Sequence, residues 1–314
     1  MKTKLLLLLF CFSVLGAMGQ GTISRNRCKA CGKAVSQCPY KGKHPKPKPK
    51  PKPELKPATK PKTTPKPKPT TKPTPAPRVS ASYQNNVLRV GDVSYRMIPV
   101  SGGTFTMGAT SEMTEPWDIE KPTHQVTLSS YFIGETEVTQ ALWKAVMGSN
   151  PSKFKGDDLP VEQVSWDDCQ TFISKLNGLT GRHFRLPTEA EWEFAARGGN
   201  QSRHTQYSGS SRIDNVAWYA SNSGNKTHSV KTKQPNELGI YDMTGNVWEW
   251  CQDWYGDYSS SAQTNPTGAS SGSYRVNRGG SWDSVPRGCR SSRRSCGTNG
   301  FDFDYLGLRL VLSE

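Results

Sequence analysis

Apolar and polar residues alternate from Val93 to Val100, which predicts a strand with one face buried. Gly102-Gly103 marks a turn, and Phe105-Thr106-Met107 predicts a second strand. Gln125 to Leu128 and Tyr131 to Ile133 predict further short strands. The period then lengthens to that of a helix. Thr139 opens one that runs to Met147 and stops at Gly148. Ser165 caps a second, with Asp168 at the capping-box position. Cys169, Phe172, Ile173 and Leu176 share one face, and Gly178 is the expected stop. Thr188 caps a third, with Glu191 in the box, Trp192 and Ala195-Ala196 inside, and Gly198-Gly199 at its end. The remaining residues are rich in Gly, Ser and Asn with scattered Trp. The pattern is that of an α+β domain over residues 82–314, with few regular elements and long ordered loops. Such loops must be pinned, by buried Trp or by bound cations.

The front of the chain follows other rules. Residues 1–19 read as a signal peptide, with Lys2 and Lys4, an apolar run from Leu5 to Leu15, and Ala17-Met18-Gly19 at the cleavage position. That run is too short to span a bilayer, and no later stretch is long and apolar enough. The mature protein is therefore expected to be exported, to the periplasm or beyond. Residues 20–44 hold Cys28, Cys31, Cys38 and His44. Three thiolates and an imidazole at these spacings can close a tetrahedral zinc site. One disulfide with a leftover thiol is the alternative for an exported chain. Residues 45–81 form a Lys/Pro/Thr-rich linker with thirteen prolines. It favours polyproline II and lacks the apolar side chains for a core. At about 3.1 Å per residue it reaches on the order of 100 Å when extended.

Charge sharpens this division. The whole chain carries a formal +15, and residues 1–78 alone carry +18, which leaves −3 for the remainder. A basic isoelectric point thus belongs to the front, where it can hold the linker against an anionic envelope polymer. It is not the basic face of a nucleic-acid-binding domain. All nine Trp lie beyond residue 116, so the core lies there too.

Several motifs occur in order through this region. They are Gly102-Gly103-Thr104-Phe105-Thr106-Met107-Gly108, Glu137-Val138-Thr139, Pro160 to Trp166, and Arg185-Leu186-Pro187-Thr188-Glu189-Ala190-Glu191-Trp192-Glu193. Gly239 to Trp250, Arg278-Gly279-Gly280-Ser281-Trp282 and Gly307-Leu308-Arg309 complete the series. Over essentially all of residues 90–312 the chain resembles the sulfatase-modifying factor family, the formylglycine-generating enzyme domain. The resemblance implies a C-type-lectin-like fold of low secondary-structure content built around calcium. It also implies an oxidase that converts a sulfatase cysteine to formylglycine, with copper held by two cysteines and molecular oxygen.

The same resemblance assigns sites. Calcium takes roughly six to eight oxygens, several of them carbonyls. Its ligands would be the Asp242 side chain, the Gly245 and Val247 carbonyls, and Glu249. Without metal, Asp242 and Glu249 would brace the turn. A second calcium would draw on Asn215 and Val216, although the spacing after Trp218 departs from the enzyme pattern. Ser281 and Trp248 match pocket-lining residues. The copper cysteines correspond to positions 284 and 289, and here they are Ser284 and Cys289. Copper(I) prefers soft thiolates, so half of the metal site is missing.

Cys289 stands among Arg287, Arg290, Arg293 and Arg294, which would depress its pKa if they surrounded the thiol. Those arginines can equally bind an anionic ligand or pair with the domain's own acids. In an oxidising compartment Cys169, Cys251, Cys289 and Cys296 are disulfide candidates with three possible connectivities, and Cys169 can simply be buried. His124, His183, His204 and His228 offer no metal pair by spacing. No repeat or heptad suggests an oligomer, so a monomer is expected. Three functions follow. One is an exported, calcium-stabilised binding or scaffold module for a protein segment or glycan, with a sulfatase among the expected partners. The second is the formylglycine-generating oxidase with an altered metal site. The third is a different oxidative activity on the same fold.

Overall fold

The computed structural model describes residues 80–313. The signal peptide, the Cys28/Cys31/Cys38/His44 cluster and the Lys/Pro linker lie outside the described residues. From Ala81 onward the elements follow the hydrophobic pattern. β1 (Ala81–Gln84), β2 (Val87–Val90) and β3 (Val93–Val100) form an antiparallel meander. β4 (Gly103–Met107), β5 (His124–Leu128) and β6 (Tyr131–Gly134) come next. β4 begins at Gly103 itself, so the predicted Gly-Gly turn is one residue shorter than expected.

The three helices are α1 (Gln140–Met147), α2 (Trp166–Thr180) and α3 (Glu189–Ala196). Thr139, Ser165 and Thr188 cap them through their side-chain oxygens, and the last two carry complete capping boxes. α1 ends at Gly148 in the left-handed conformation, as the sequence predicts. α2 runs past Gly178 and stops at Gly181, because the side chain of Thr180 bonds the Leu176 carbonyl and prolongs the turn. A glycine inside a helix weakens it without breaking it. β7 (Phe184–Arg185) lies between α2 and α3, and the one-turn helix α4 (Ile213–Val216) follows α3. The chain closes with β8 (Trp248–Trp254), β9 (Gln263–Thr264), β10 (Arg275–Arg278), β11 (Arg294–Gly297), β12 (Leu306–Gly307) and β13 (Val311–Ser313).

Three sheets result. One has the order β1-β2-β3-β6-β13-β7, the second β11-β10-β8-β12, and the third β4-β5-β9. β13 pairs with β6, so the C-terminal strand closes onto the first third of the domain. One core packs α1 and α2 on β2 and β3, with Trp143 stacked on Phe172 at 4.8 Å. The other surrounds α3, every residue of which is buried. A helix buried all round must neutralise its charges. Its three glutamates do so. Glu189 pairs with Arg294 at 2.6 Å, Glu191 with Arg185 at 2.6 Å, and Glu193 with the fully buried Arg278.

The expectation that Trp pins the loops holds. Trp250 Nε1 donates to the Val164 carbonyl at 3.0 Å, Trp166 Nε1 to that of Cys251 at 3.0 Å, and Trp282 Nε1 to that of Asp304 at 2.9 Å. The first and third tie loop residues Val164, Trp282 and Asp304 in place, and the second ties the start of α2 to β8, each across 22 or more residues of sequence. Buried arginines add a second set of ties. Arg290 reaches Glu120, 170 residues away, and Arg309 reaches Glu249, 60 away.

Candidate functional site

The predicted site residues meet on two adjoining turns. One is the 242–247 turn ahead of β8. The other is the 279–289 loop after β10. Backbone bonds join them, from Gly245 N to Gly279 O at 2.9 Å and from Trp282 N to Asn246 O at 2.8 Å. Gly245 lies at φ 78°, and a Cβ there would stand 2.2 Å from the Trp218 carbonyl oxygen. Gly280 is at φ 78°, and a Cβ would stand 2.7 Å from Cys289 Sγ. Only glycine permits either approach.

The Ser284/Cys289 pair does not fit copper. Cys289 is fully buried against Tyr207, Val216, Ala217 and Tyr219. Burial pushes its thiol up to about 12, against a smaller opposing pull from the Ser281 backbone N–H. The expected lowering by arginine is therefore corrected: burial moves the thiol the other way. The hydroxyl of Ser284 accepts from Ser281 N at 3.0 Å and lies 3.1 Å from Ser281 Oγ, which donates to Asp283 Oδ1 at 2.6 Å. Ser284 thus offers a hard hydroxyl oxygen already engaged by Ser281, whereas copper(I) calls for soft thiolates. Trp248 is half-buried, with its ring 6.0 Å from the Arg293 guanidinium carbon.

Among the described residues no disulfide joins any two of Cys169, Cys251, Cys289 and Cys296. The first three sit in three different clusters of the core, which is why none meets another. Burial pushes the Cys169 and Cys251 thiols well up.

The arginines take the third of the roles open to them, and only in part. Arg290 forms a bidentate pair with buried Glu120 at 2.6 and 2.8 Å. Arg294 forms one with Glu189 at 2.6 and 2.8 Å. Arg287 and Arg293 stack instead on Trp117, at 3.9 and 4.2 Å from the ring centroid.

Around the first turn the acids regroup. Glu249, expected to bind calcium, is the counter-ion of Arg309, at 2.7 and 3.0 Å, and accepts Trp192 Nε1 at 2.6 Å. An ion that shares its carboxylate would face the guanidinium. The structure brings Glu137 forward in its place. Glu137 is fully buried, and neither of its carboxylate oxygens has a hydrogen-bond partner. Burial pushes its carboxyl well up, and Asp242 raises it further. Asp242 sits at φ 60°, buried, with Oδ2 accepting from Lys231 N at 2.8 Å. Burial pushes its carboxyl up to about 6.

With Glu249 and Arg309 cancelling, Glu137 and Asp242 are two buried carboxyls that repel each other's charge and are pushed toward their protonated forms. A divalent cation would offset both, which fits calcium. Among the described residues no three His, Cys, Asp or Glu side chains make a ready cage, so carbonyls such as those of Gly245 and Val247 would complete the shell. Sequence reading passed over Glu137 because it opens a helix-capping motif and looks structural. The second expected calcium site gains no such support. The carbonyl of Asn215 accepts Gln234 N at 3.0 Å, its amide lies 3.5 Å from Ser210 Oγ, and Val216 packs into the Cys289 cluster.

Comparison with known proteins agrees with this architecture. Residues 90–314 match the family described as "Sulfatase-modifying factor enzyme 1-like domain". The chain is 35% identical over 275 residues to a protein named "Chaperone protein LppX" from Paenibacillus barcinonensis, covering 71% of this chain and 91% of that one. It is 30% identical over 281 residues to the formylglycine-generating enzyme of Streptomyces coelicolor, covering 68% and 87%. The solved structure of Treponema denticola variable protein 1 superposes with a TM-score of 0.67 at 36% identity, over 73% of this chain and 98% of that one. In sequence and in fold, this chain belongs to the sulfatase-modifying factor family.

Proposed function

We propose that this family member is an exported binding module for a protein segment, rather than a formylglycine-generating oxidase. One observation carries the reading. Ser284 stands where the enzyme pattern needs a thiol, and the remaining Cys289 is fully buried, with its thiol pushed up to about 12. A relative named as a chaperone supports a protein segment as the ligand. The Lys/Pro linker would set the reach of the module, and fold alone does not fix its chemistry.

The test uses the purified protein with copper(I), oxygen and a peptide bearing Cys-x-Pro-x-Arg. The mass of the peptide cysteine is followed. No conversion to the aldehyde, together with sub-stoichiometric copper, is the expected result. Conversion that disappears in Cys289→Ala would establish the oxidase and end the binding-module reading.

The same reading places calcium at Asp242 and Glu137, with the Gly245 and Val247 carbonyls. Chelation with EDTA should lower the melting temperature, and Glu137→Gln should shrink that drop. An unchanged melting temperature on chelation would remove calcium from the account.

A further inference from the structure

The segment that carries Cys289 also carries four arginines of two kinds. Arg290 and Arg294 are buried and spent on Glu120 and Glu189. The other two belong to a row of alternating rings and cations. Trp248 lies 6.0 Å from Arg293, Arg293 lies 4.2 Å from Trp117, and Trp117 lies 3.9 Å from Arg287. The row starts at a pocket residue and ends at the surface, where the Arg287 side chain is 39% exposed. Arg287 Nε donates to the Glu115 carbonyl at 2.7 Å, and the nearest carboxylate, that of Glu115, is 4.0 Å away and itself 80% exposed. The two terminal nitrogens of Arg287 have no hydrogen-bond partner among the described residues.

A guanidinium laid on an indole keeps its edge open. Stacking fixes the plane and removes water from one face, and the in-plane N–H groups remain aimed outward for a planar, two-oxygen acceptor. Buried arginines hold the row from beneath, since Arg290 lies 5.4 Å from the same Trp117 ring.

Such an edge suits a carboxylate or another oxyanion, and two further facts choose between sources. The globular part carries a net −3, which repels a polyanion at long range. Two cations also release too few counterions to hold a polyanion at physiological salt. A single carboxylate presented on a peptide meets neither difficulty. We infer that Trp117 and Arg287, backed by Arg293 on the same ring, form a recognition wall for an Asp or Glu side chain of the protein segment that this module binds, with Arg287 as the group that meets the carboxylate. This rests on the binding-module reading and adds the chemistry of the ligand. Glu115, the weakly held neighbour, acts as an internal competitor for Arg287.

The experiment pans a random peptide library against the intact protein, then measures the selected peptides by fluorescence anisotropy. Peptides enriched in Asp or Glu are expected. Arg287→Gln should weaken them by about tenfold, the equivalent of about 1.4 kcal/mol. Arg287→Lys should recover part of the loss, and Glu115→Gln should tighten binding. An exposed side chain such as Arg287 can be changed without unfolding, and a melting curve for each variant confirms it.

Selected peptides without acid enrichment, or indifferent to Arg287→Gln, would overturn this inference and leave the binding module standing. A heparin-type glycan that bound through Arg287 while acidic peptides did not would overturn the peptide assignment. Failure to select any peptide would overturn the inference, and the copper assay would then decide the fate of the broader reading.

Discussion

Arg290 and Arg287 lie three residues apart and teach opposite lessons. Arg290 is fully buried, makes two charge-assisted bonds to Glu120, and bonds the Arg287 carbonyl through Nε at 3.0 Å. Arg287 is half-exposed and rests on an indole. The first is a strut that ties the loop after β10 to the segment before β5. The second is a half-exposed group held by the Trp117 ring and the Glu115 carbonyl, with no close carboxylate. The difference is set by solvent. A buried charge must be matched within the fold, whereas an exposed one is solvated and can wait for a ligand.

The largest effect expected from this contrast comes at the strut. Arg290→Ala leaves Glu120 buried and unpaired, and should cost about 3–5 kcal/mol in denaturant unfolding. A loss under about 1 kcal/mol would show that the pair contributes no more than a surface one.

A middle-sized effect lies at Asp253, a buried acid in the same charged layer. Burial, and after it Glu189, push its carboxyl up to about 8, and it accepts the Glu189 N–H at 3.0 Å. Between its unfolded value and 8, the folded state holds a proton that the unfolded chain has lost. Stability should therefore fall as pH rises through this window, by at most about 1.4 kcal/mol per pH unit from this group. Asp253→Asn keeps an acceptor for the Glu189 N–H and should flatten the fall. Urea unfolding at a series of pH values reads the slope, and an unchanged slope in the variant would assign it to other groups.

The smallest effect belongs to Arg287. Arg287→Gln should move unfolding by no more than about 0.5 kcal/mol while weakening peptide binding. A large loss of stability would make Arg287 another strut and erase the comparison.

The sequence by itself determined the local elements. Thr139, Ser165 and Thr188 announced three helices because capping is settled within four residues. The alternation from Val93 to Val100 announced β3 because a strand face is read at a period of two. It also showed Ser284 at the first of the two expected copper-cysteine positions, which is visible without any structure. Tertiary structure alone decided the rest. It kept Cys169, Cys251 and Cys289 apart in three clusters, raised the Cys289 thiol by burial, committed Glu249 to Arg309, and left Glu137 unpartnered. It sorted four neighbouring arginines into struts and surface groups. The reason is common to all of these. Desolvation and long-range pairing join residues from 60 to 170 positions apart, and no local pattern encodes which charge a buried group will meet.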